Sequence, residues 1–122
     1  MTTAQRQRHH RRGMRAEYLA LAFLTIKGYR FVAWRYKTKL GEIDLIVRRG
    51  KILVFVEVKA RTNHADAASA VHAKNQSRVV QAAQLFMVNH PAYQDFQVRF
   101  DVVLVAWYKM PHHLVHAFNA PI

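Results

Sequence analysis

Residues 41–61 read GEIDLIVRRGKILVFVEVKAR, and the topology of the chain follows from them. Two segments rich in Ile, Leu and Val, at 42–48 and 51–59, flank a short turn that contains Gly50. Segments of this length and composition on either side of a tight turn predict two antiparallel strands joined as a hairpin. An aromatic and β-branched run at 29–37 precedes them and predicts a third strand. We therefore expect an antiparallel meander.

Two helices and a further strand surround this meander. Helical spacing of apolar residues predicts a helix over 13–27 and a second over 74–89, with a loop at 60–72. The run at 96–107 is apolar on both faces, as in a central strand, and 114–118 predicts an edge strand. Because a helix separates the third strand from the next, a parallel crossover should join them. The predicted fold class is α/β, with a mixed central sheet flanked by helices.

Charge is the strongest global feature of the chain. Nineteen Lys and Arg stand against seven Asp and Glu, a formal net charge of +12. Such an excess predicts a polyanionic partner. Residues 1–12 are rich in arginine and contain no acid, which favours a flexible basic arm before a single domain at 13–122. The absence of cysteine excludes disulfides and thiol catalysis. The lack of cysteine fits a reducing cytoplasm, which is where we expect the protein. No apolar run approaches the roughly 20 residues of a membrane span.

Three of the seven acids lie on the hairpin. A turn centred on Arg49-Gly50 would pair Asp44 with Phe55 and Glu42 with Glu57, and would place the acids and Lys59 on one face. The opposite face would be purely apolar: Ile43, Leu45, Val47, Val54, Val56 and Val58. Directly opposed like charges destabilise a sheet, so a cation is expected between them.

Two cations can serve, a divalent metal ion or Lys59. Carboxylates and waters are the usual ligands of Mg²⁺, and Asp44 and Glu57 would supply two of them, with the Val58 carbonyl as a third. Lys59 could then orient a water or stabilise the transition state. The alternative is a structural salt-bridge network. One lysine cannot neutralise three carboxylates, which favours the metal.

The spacing Asp-x(12)-Glu-x-Lys resembles the PD-(D/E)XK nuclease superfamily. Most of the chain, about residues 13–118, also resembles the YraN family of small bacterial endonuclease-like proteins. The motifs that carry this resemblance are RAEYLA at 15–20, KGYRF at 27–31, GEIDLI at 41–46, VFVEVKAR at 54–61, KNQSR at 74–78 and RFDVV at 99–103.

This resemblance implies a restriction-endonuclease-like three-layer fold and a Mg²⁺- or Mn²⁺-dependent endonuclease acting on DNA. The similarity to archaeal Holliday junction resolvases adds branched substrates and a homodimer. It implies a catalytic set of Asp44, Glu57, Lys59 and Glu17. Glu42, Gln76 and Lys74 are candidate accessory residues, although Asn75 stands where the family usually has a lysine. The candidate DNA contacts are Arg11, Arg12, Arg15, Arg61, Lys74 and Arg78.

Other functions stay open on the sequence. A protein of the same fold could bind nucleic acid without cleaving it, or could need a partner to do so. A basic RNA-binding protein would not need the carboxylates at all. Asp101 could support a metal site, but pairing with a buried basic residue is the favoured interpretation. His113 and His116 lack a third clear ligand, which makes them a weak metal pair.

Overall fold

The computed structural model describes residues 3–60, 73–106, 110–118 and 120, with side chains described from residue 15 in α1 and from residue 76 in α2. In chain order the elements are α1 (Thr3–Ile26), β1 (Arg30–Lys37), β2 (Glu42–Arg49), β3 (Ile52–Ala60), α2 (Ala73–Asn89), a 3-10 turn (Pro91–Tyr93), β4 (Gln97–Val105) and β5 (His112–Phe118). The loop predicted at 60–72 lies outside the described residues from 61 onwards.

The five strands form one mixed sheet in the order β1-β2-β3-β4-β5. β3 and β4 are parallel, with Ile52 level with Gln97 and Ala60 level with Val105. The other three pairs are antiparallel. The predicted meander and parallel crossover are therefore confirmed, and α2 lies within the crossover connection.

Each helix covers one face of the sheet. On the first face, Ala16, Ala20 and Leu24 of α1 pack against Leu45, Val47, Val54 and Val56. On the second face, Val79, Ala82, Ala83 and Phe86 of α2 pack against Ile46, Leu53, Phe55 and Phe100. Alanines on both contact stripes let the helix backbones come close to the sheet. The result is the three-layer α/β arrangement expected for this chain.

Helix α1 begins at Thr3, which corrects the predicted start at residue 13. Residues 3–12 contain neither proline nor glycine and are rich in good helix formers such as Gln and Arg. The helix ends as predicted at Gly28, whose φ of +96° is accessible to glycine. Within the described part of the chain, neither helix is long and apolar enough to cross a membrane.

Asp101 is buried in a polar cluster beneath the C-terminal end of α1. Its carboxylate accepts bonds from Arg99 at 2.9 and 2.8 Å and from the His116 amide at 3.1 Å, and pairs with His113 Nε2 at 2.6 Å. Lys27 Nζ lies 2.6 Å from the other ring nitrogen of His113. Burial acts to raise the pKa of Asp101, but the bonds from His113 and Arg99 outweigh it and lower the pKa. The structural interpretation of Asp101 is confirmed.

Candidate functional site

The β2–β3 hairpin has a different register from the predicted one. Leu45 lies level with Val56 and Arg49 with Ile52, so the two turn residues are Gly50 and Lys51. The reason is conformational: Gly50 has a φ of +59°, which suits the first position of a tight hairpin turn. The shift is by an even number of residues, so paired side chains of β2 and β3 stay on the same face of the sheet as in the predicted register.

This register changes which charges are neighbours. The pairing ends at Leu45–Val56, and one further step would bring Asp44, and not Glu42, level with Glu57. The prediction that Glu42 faces Glu57 is therefore wrong. This register favours Asp44 over Glu42 as the close neighbour of Glu57, and on the other side of β2 Glu42 pairs with Lys37 of β1.

Close to the site, the side chains of β1 and β2 stop alternating regularly between the two faces of the sheet. The β1–β2 register pairs Trp34 with Leu45 and Tyr36 with Ile43, on either side of Arg35. Arg35 has a φ of +51°, which is uncommon for a residue with a side chain. Ile43 consequently packs in the core beneath α2, whereas Leu45 packs beneath α1. The prediction that these two side chains share a face is wrong.

Asp44 lies opposite this break and bridges β2 and β3. Its Oδ2 accepts a hydrogen bond of 2.8 Å from the Val58 amide. The N–H and C=O of one strand residue point to the same side of the strand. The Val58 carbonyl therefore also faces the space that Asp44 occupies. Asp44 and Val58 therefore present a carboxylate and a backbone carbonyl to the same cavity.

A cavity of about 250 Å³ opens at this point on the α2 side of the sheet. Lys59 Nζ lies 3.7 Å from Glu57 Oε2, an ion-pair distance that is long for a hydrogen bond. The cavity is lined by Glu42, Asp44, Glu57, Val58, Lys59, Arg78 and Val79. The structure thus gathers Asp44, Glu57 and Lys59 around one space.

Burial desolvates the two central carboxylates, Asp44 and Glu57. Burial raises the pKa of Asp44 to about 7, although the Val58 hydrogen bond opposes the shift and the Glu57 charge adds to it. Burial also raises the pKa of Glu57, against the attraction of Lys59. Among the residues that the structure describes, no Lys or Arg nitrogen forms an ion pair with Asp44. A salt-bridge network therefore accounts for Glu57 in part and for Asp44 not at all.

A second cavity, of about 270 Å³, adjoins the first on the α1 side. Buried Glu17 accepts two hydrogen bonds there, from Arg35 Nε at 3.1 Å and from Arg35 Nη2 at 2.5 Å. The second cavity is lined by Glu17, Arg35, Lys37, Glu42, Ile43 and Asp44. Glu17 therefore joins the site as the partner of an arginine, and Asp44 and Glu42 border both cavities.

Arg35 is the site residue that the sequence did not reveal. It sits in an aromatic strand and belongs to none of the motifs quoted above. The one indirect signal was Glu17, a lone acid on an otherwise apolar helix stripe, which needs a buried cationic partner. Nothing in the sequence identified which of the many basic residues would supply it.

Gly41 positions Arg78 at the rim of the first cavity. A side-chain carbon at Gly41 would lie 2.2 Å from the Arg78 carbonyl oxygen, so only glycine permits this approach of the β1–β2 turn to α2. Thr38 closes the turn through a 2.9 Å bond from its amide to the Gly41 carbonyl. The first residue of GEIDLI thus has a packing role.

The remaining predicted residues are more scattered. Gln76 is half-buried on α2 and lines neither cavity. Arg15 is exposed on α1, two residues before Glu17. Arg61 and the side chains of Arg11, Arg12 and Lys74 fall outside what the structure describes.

The donor set fits a hard divalent cation that keeps several waters. Within the described ranges no group of three or more His, Cys, Asp and Glu side chains stands at metal-binding distances. Mg²⁺ does not require such a group, because it is commonly held by one or two carboxylates plus waters. Asp44, Glu57 and the Val58 carbonyl supply oxygen atoms only, which suits Mg²⁺ or Mn²⁺ and not Zn²⁺.

Fold and site together define a small three-layer α/β protein with two desolvated carboxylates and a lysine where neighbouring strands part. The chain belongs to the family described as Uncharacterised protein family UPF0102, whose model matches residues 16–105. This is the family that the sequence motifs resemble.

The curated relatives are similar over most of their length. A UPF0102 protein of Rhodopseudomonas palustris (strain BisB18) is 51% identical over 110 residues, which are 90% of this chain and 82% of the relative. One from Nitrobacter winogradskyi is 48% identical over 108 residues, or 88% of this chain and 92% of the relative. One from Bradyrhizobium sp. (strain BTAi1) is 47% identical over 110 residues, covering 90% and 81%.

Proposed function

We propose that this protein is a metal-dependent endonuclease that hydrolyses phosphodiester bonds in DNA. One observation carries the proposal: Asp44 and Glu57 share a cavity, and among the described residues no cation lies within ion-pair distance of Asp44, although the protein has a net charge of +12. A basic protein with few acids has no structural need to desolvate two of them together. The raised pKa of Asp44, about 7, marks a strained arrangement that a divalent ion would relieve.

The residues of the site have separate tasks in this proposal. Asp44, Glu57 and the Val58 carbonyl would hold a divalent ion. A divalent ion in such a place polarises a phosphate oxygen and makes water a better nucleophile. Lys59 borders the same cavity and can orient that water or stabilise charge on the phosphate. Arg78, exposed at the rim, can bind a neighbouring phosphate as the strand enters.

Arg35 and Glu17 support the other side of Asp44. Their two hydrogen bonds hold the guanidinium beside the second cavity. Asp44 interacts electrostatically with both of them. We assign Arg35 a positioning role, because it fixes the break in β1 opposite Asp44, and Glu17 a role in orienting that arginine.

The experiment is a cleavage assay on linear, nicked and four-way-junction DNA, with Mg²⁺, with Mn²⁺ and with chelator. Wild type should cleave at least one substrate only with metal. Asp44→Asn, Glu57→Gln and Lys59→Met should each reduce the rate by about 100-fold or more, the usual scale for an electrostatic contribution to catalysis. Asp95→Asn is the matched control, since Asp95 is an exposed acid paired with Lys51.

Two results would contradict the proposal. Calorimetry could show metal binding that depends on Asp44, with no cleavage of any substrate, which would favour a binding module that retains the fold. Alternatively, Asp44→Asn could cleave as fast as Asp95→Asn, which would assign the activity to other residues or to a contaminant.

A further inference from the structure

Three aromatic side chains form an exposed patch beside the second cavity. Tyr18 of α1 and Phe31 of β1 are 57% and 52% exposed, and Trp34 is half-buried between them. The Tyr18 and Trp34 ring centroids are 5.2 Å apart, and those of Phe31 and Trp34 are 6.3 Å apart. We call these three residues the aromatic patch.

The patch exists because β1 is an edge strand with a register irregularity. The irregularity falls between Phe31 and Ala33 and separates the pairs Phe31–Val47 and Trp34–Leu45. Val47 and Leu45 both face α1, so both aromatic rings are carried to that face at the sheet edge. Clustered large apolar groups exposed in this way mark an interaction surface.

The position of the patch relates it to the candidate site. Tyr18 follows Glu17 in the chain and Trp34 precedes Arg35, so two of the rings adjoin residues that line the second cavity. Two exposed cationic side chains lie on the elements that carry the rings: Arg15 is one helical turn before Tyr18 on α1, and Lys37 lines the second cavity. A surface of flat rings rimmed by positive charge matches a strand of nucleic acid, which presents base faces beside phosphates.

We propose that the aromatic patch stacks unpaired bases of a DNA strand whose backbone passes the Asp44 site. This inference rests on the proposed function and adds the class of substrate. A base within a duplex has both faces covered by its neighbours, so the patch can engage only single-stranded or unpaired stretches. The cationic rim argues for nucleic acid over a second copy of this chain, which would bring an equally positive surface.

The test measures binding without catalysis. Fluorescence anisotropy in chelator compares an oligothymidylate of about 16 nucleotides with a duplex of equal length. Tyr18→Ala and Phe31→Ala should each weaken single-strand binding about tenfold, a usual loss for one stacking contact, and change duplex binding by less than about twofold. Tyr18→Phe should bind like wild type because it keeps the ring. Ile26→Ala is the matched control on the same helix, since Ile26 is an apolar residue 86% exposed.

Each outcome decides the inference. Equal losses on both DNAs, or losses as large in Ile26→Ala, would overturn it. So would unchanged DNA binding with a shift from dimer to monomer in light scattering of Tyr18→Ala, which would make the patch a contact between two copies. If the wild-type protein cleaves DNA but the aromatic variants bind normally, the inference fails and the proposed function stands. If wild type binds neither DNA, both fail.

Discussion

The charge of Asp44 should destabilise the metal-free fold, and Asp44→Asn tests this directly. Burial raises the pKa of Asp44 from 3.8 to about 7. Each pKa unit corresponds to about 1.36 kcal/mol, so ionised Asp44 costs the folded state at most about 4 kcal/mol. Because the side chain is only half-buried and water can reach it, we expect about 2 kcal/mol. Asparagine removes the charge and keeps an oxygen that can accept the Val58 hydrogen bond.

The sign follows from proton linkage. Between pH 4 and 7 the folded protein holds a proton on Asp44 that the unfolded chain has lost, so this group makes stability fall as pH rises through that window. Above pH 7 both states are ionised and the penalty is complete. Asp44→Asn should therefore match wild type near pH 4 and exceed it by about 2 kcal/mol at pH 8.

Urea denaturation in chelator at pH 4.5, 6 and 8 measures the difference. The control is Asp95→Asn, because the Lys51 hydrogen bond lowers the pKa of that exposed carboxylate and its removal should not stabilise the fold. A variant Asp44→Asn that is less stable than wild type at pH 8 would refute the reasoning. It would mean that Asp44 is compensated in the folded protein and serves as a structural ion-pair partner.

Three further predictions concern metal, the buried pair and DNA. Because a metal ligand must be deprotonated, Mn²⁺ affinity measured by calorimetry should fall about tenfold per pH unit below pH 7. Asp44→Asn should weaken binding and leave only the smaller pH dependence that comes from Glu57. Arg35→Gln should lower the free energy of unfolding by about 3 kcal/mol by leaving Glu17 buried without its partner, and Glu17→Gln in the same chain should restore part of it; equal stability of the single and double variants would contradict this. DNA affinity should fall steeply with salt concentration. Arg78→Ala should reduce the slope of log affinity against log salt concentration by about 1. Replacing an arginine of residues 1–12 with glutamine should reduce it by the same amount if that arginine contacts a phosphate. An unchanged slope on replacing all of those arginines would remove the segment from the interface.

The strand order could be predicted because its signals are local. Each strand is an apolar run bounded by a turn, and the helix between β3 and β4 requires a crossover. The hairpin register was wrong by two residues because it depends on which residue takes the positive φ, and Gly50 settles that in the structure. Because the error is an even number of residues, it does not change the relative faces of the paired residues of β2 and β3, and Asp44 and Glu57 still line one cavity.

The break at Arg35 could not be predicted. Arg35 contacts Glu17 of α1, 18 residues earlier in the chain, and strand patterns contain no information about such a contact. The consequence is visible at Ile43. Regular alternation placed it on the same face as Leu45, whereas it packs on the opposite face, beneath α2. The start of α1 was placed too late for a related reason: the basic residues at 3–12 carry no apolar stripe, although their helix propensity is good.

The hydrogen bond from the Val58 amide to Asp44 makes one backbone nitrogen a reporter of the whole site. Protonation of the carboxylate, or coordination of its oxygen, changes the electron density at the acceptor and so the amide chemical shift. A nuclear magnetic resonance titration of ¹⁵N-labelled protein would therefore follow acid and metal at a single cross-peak. It needs no substrate and no knowledge of the reaction.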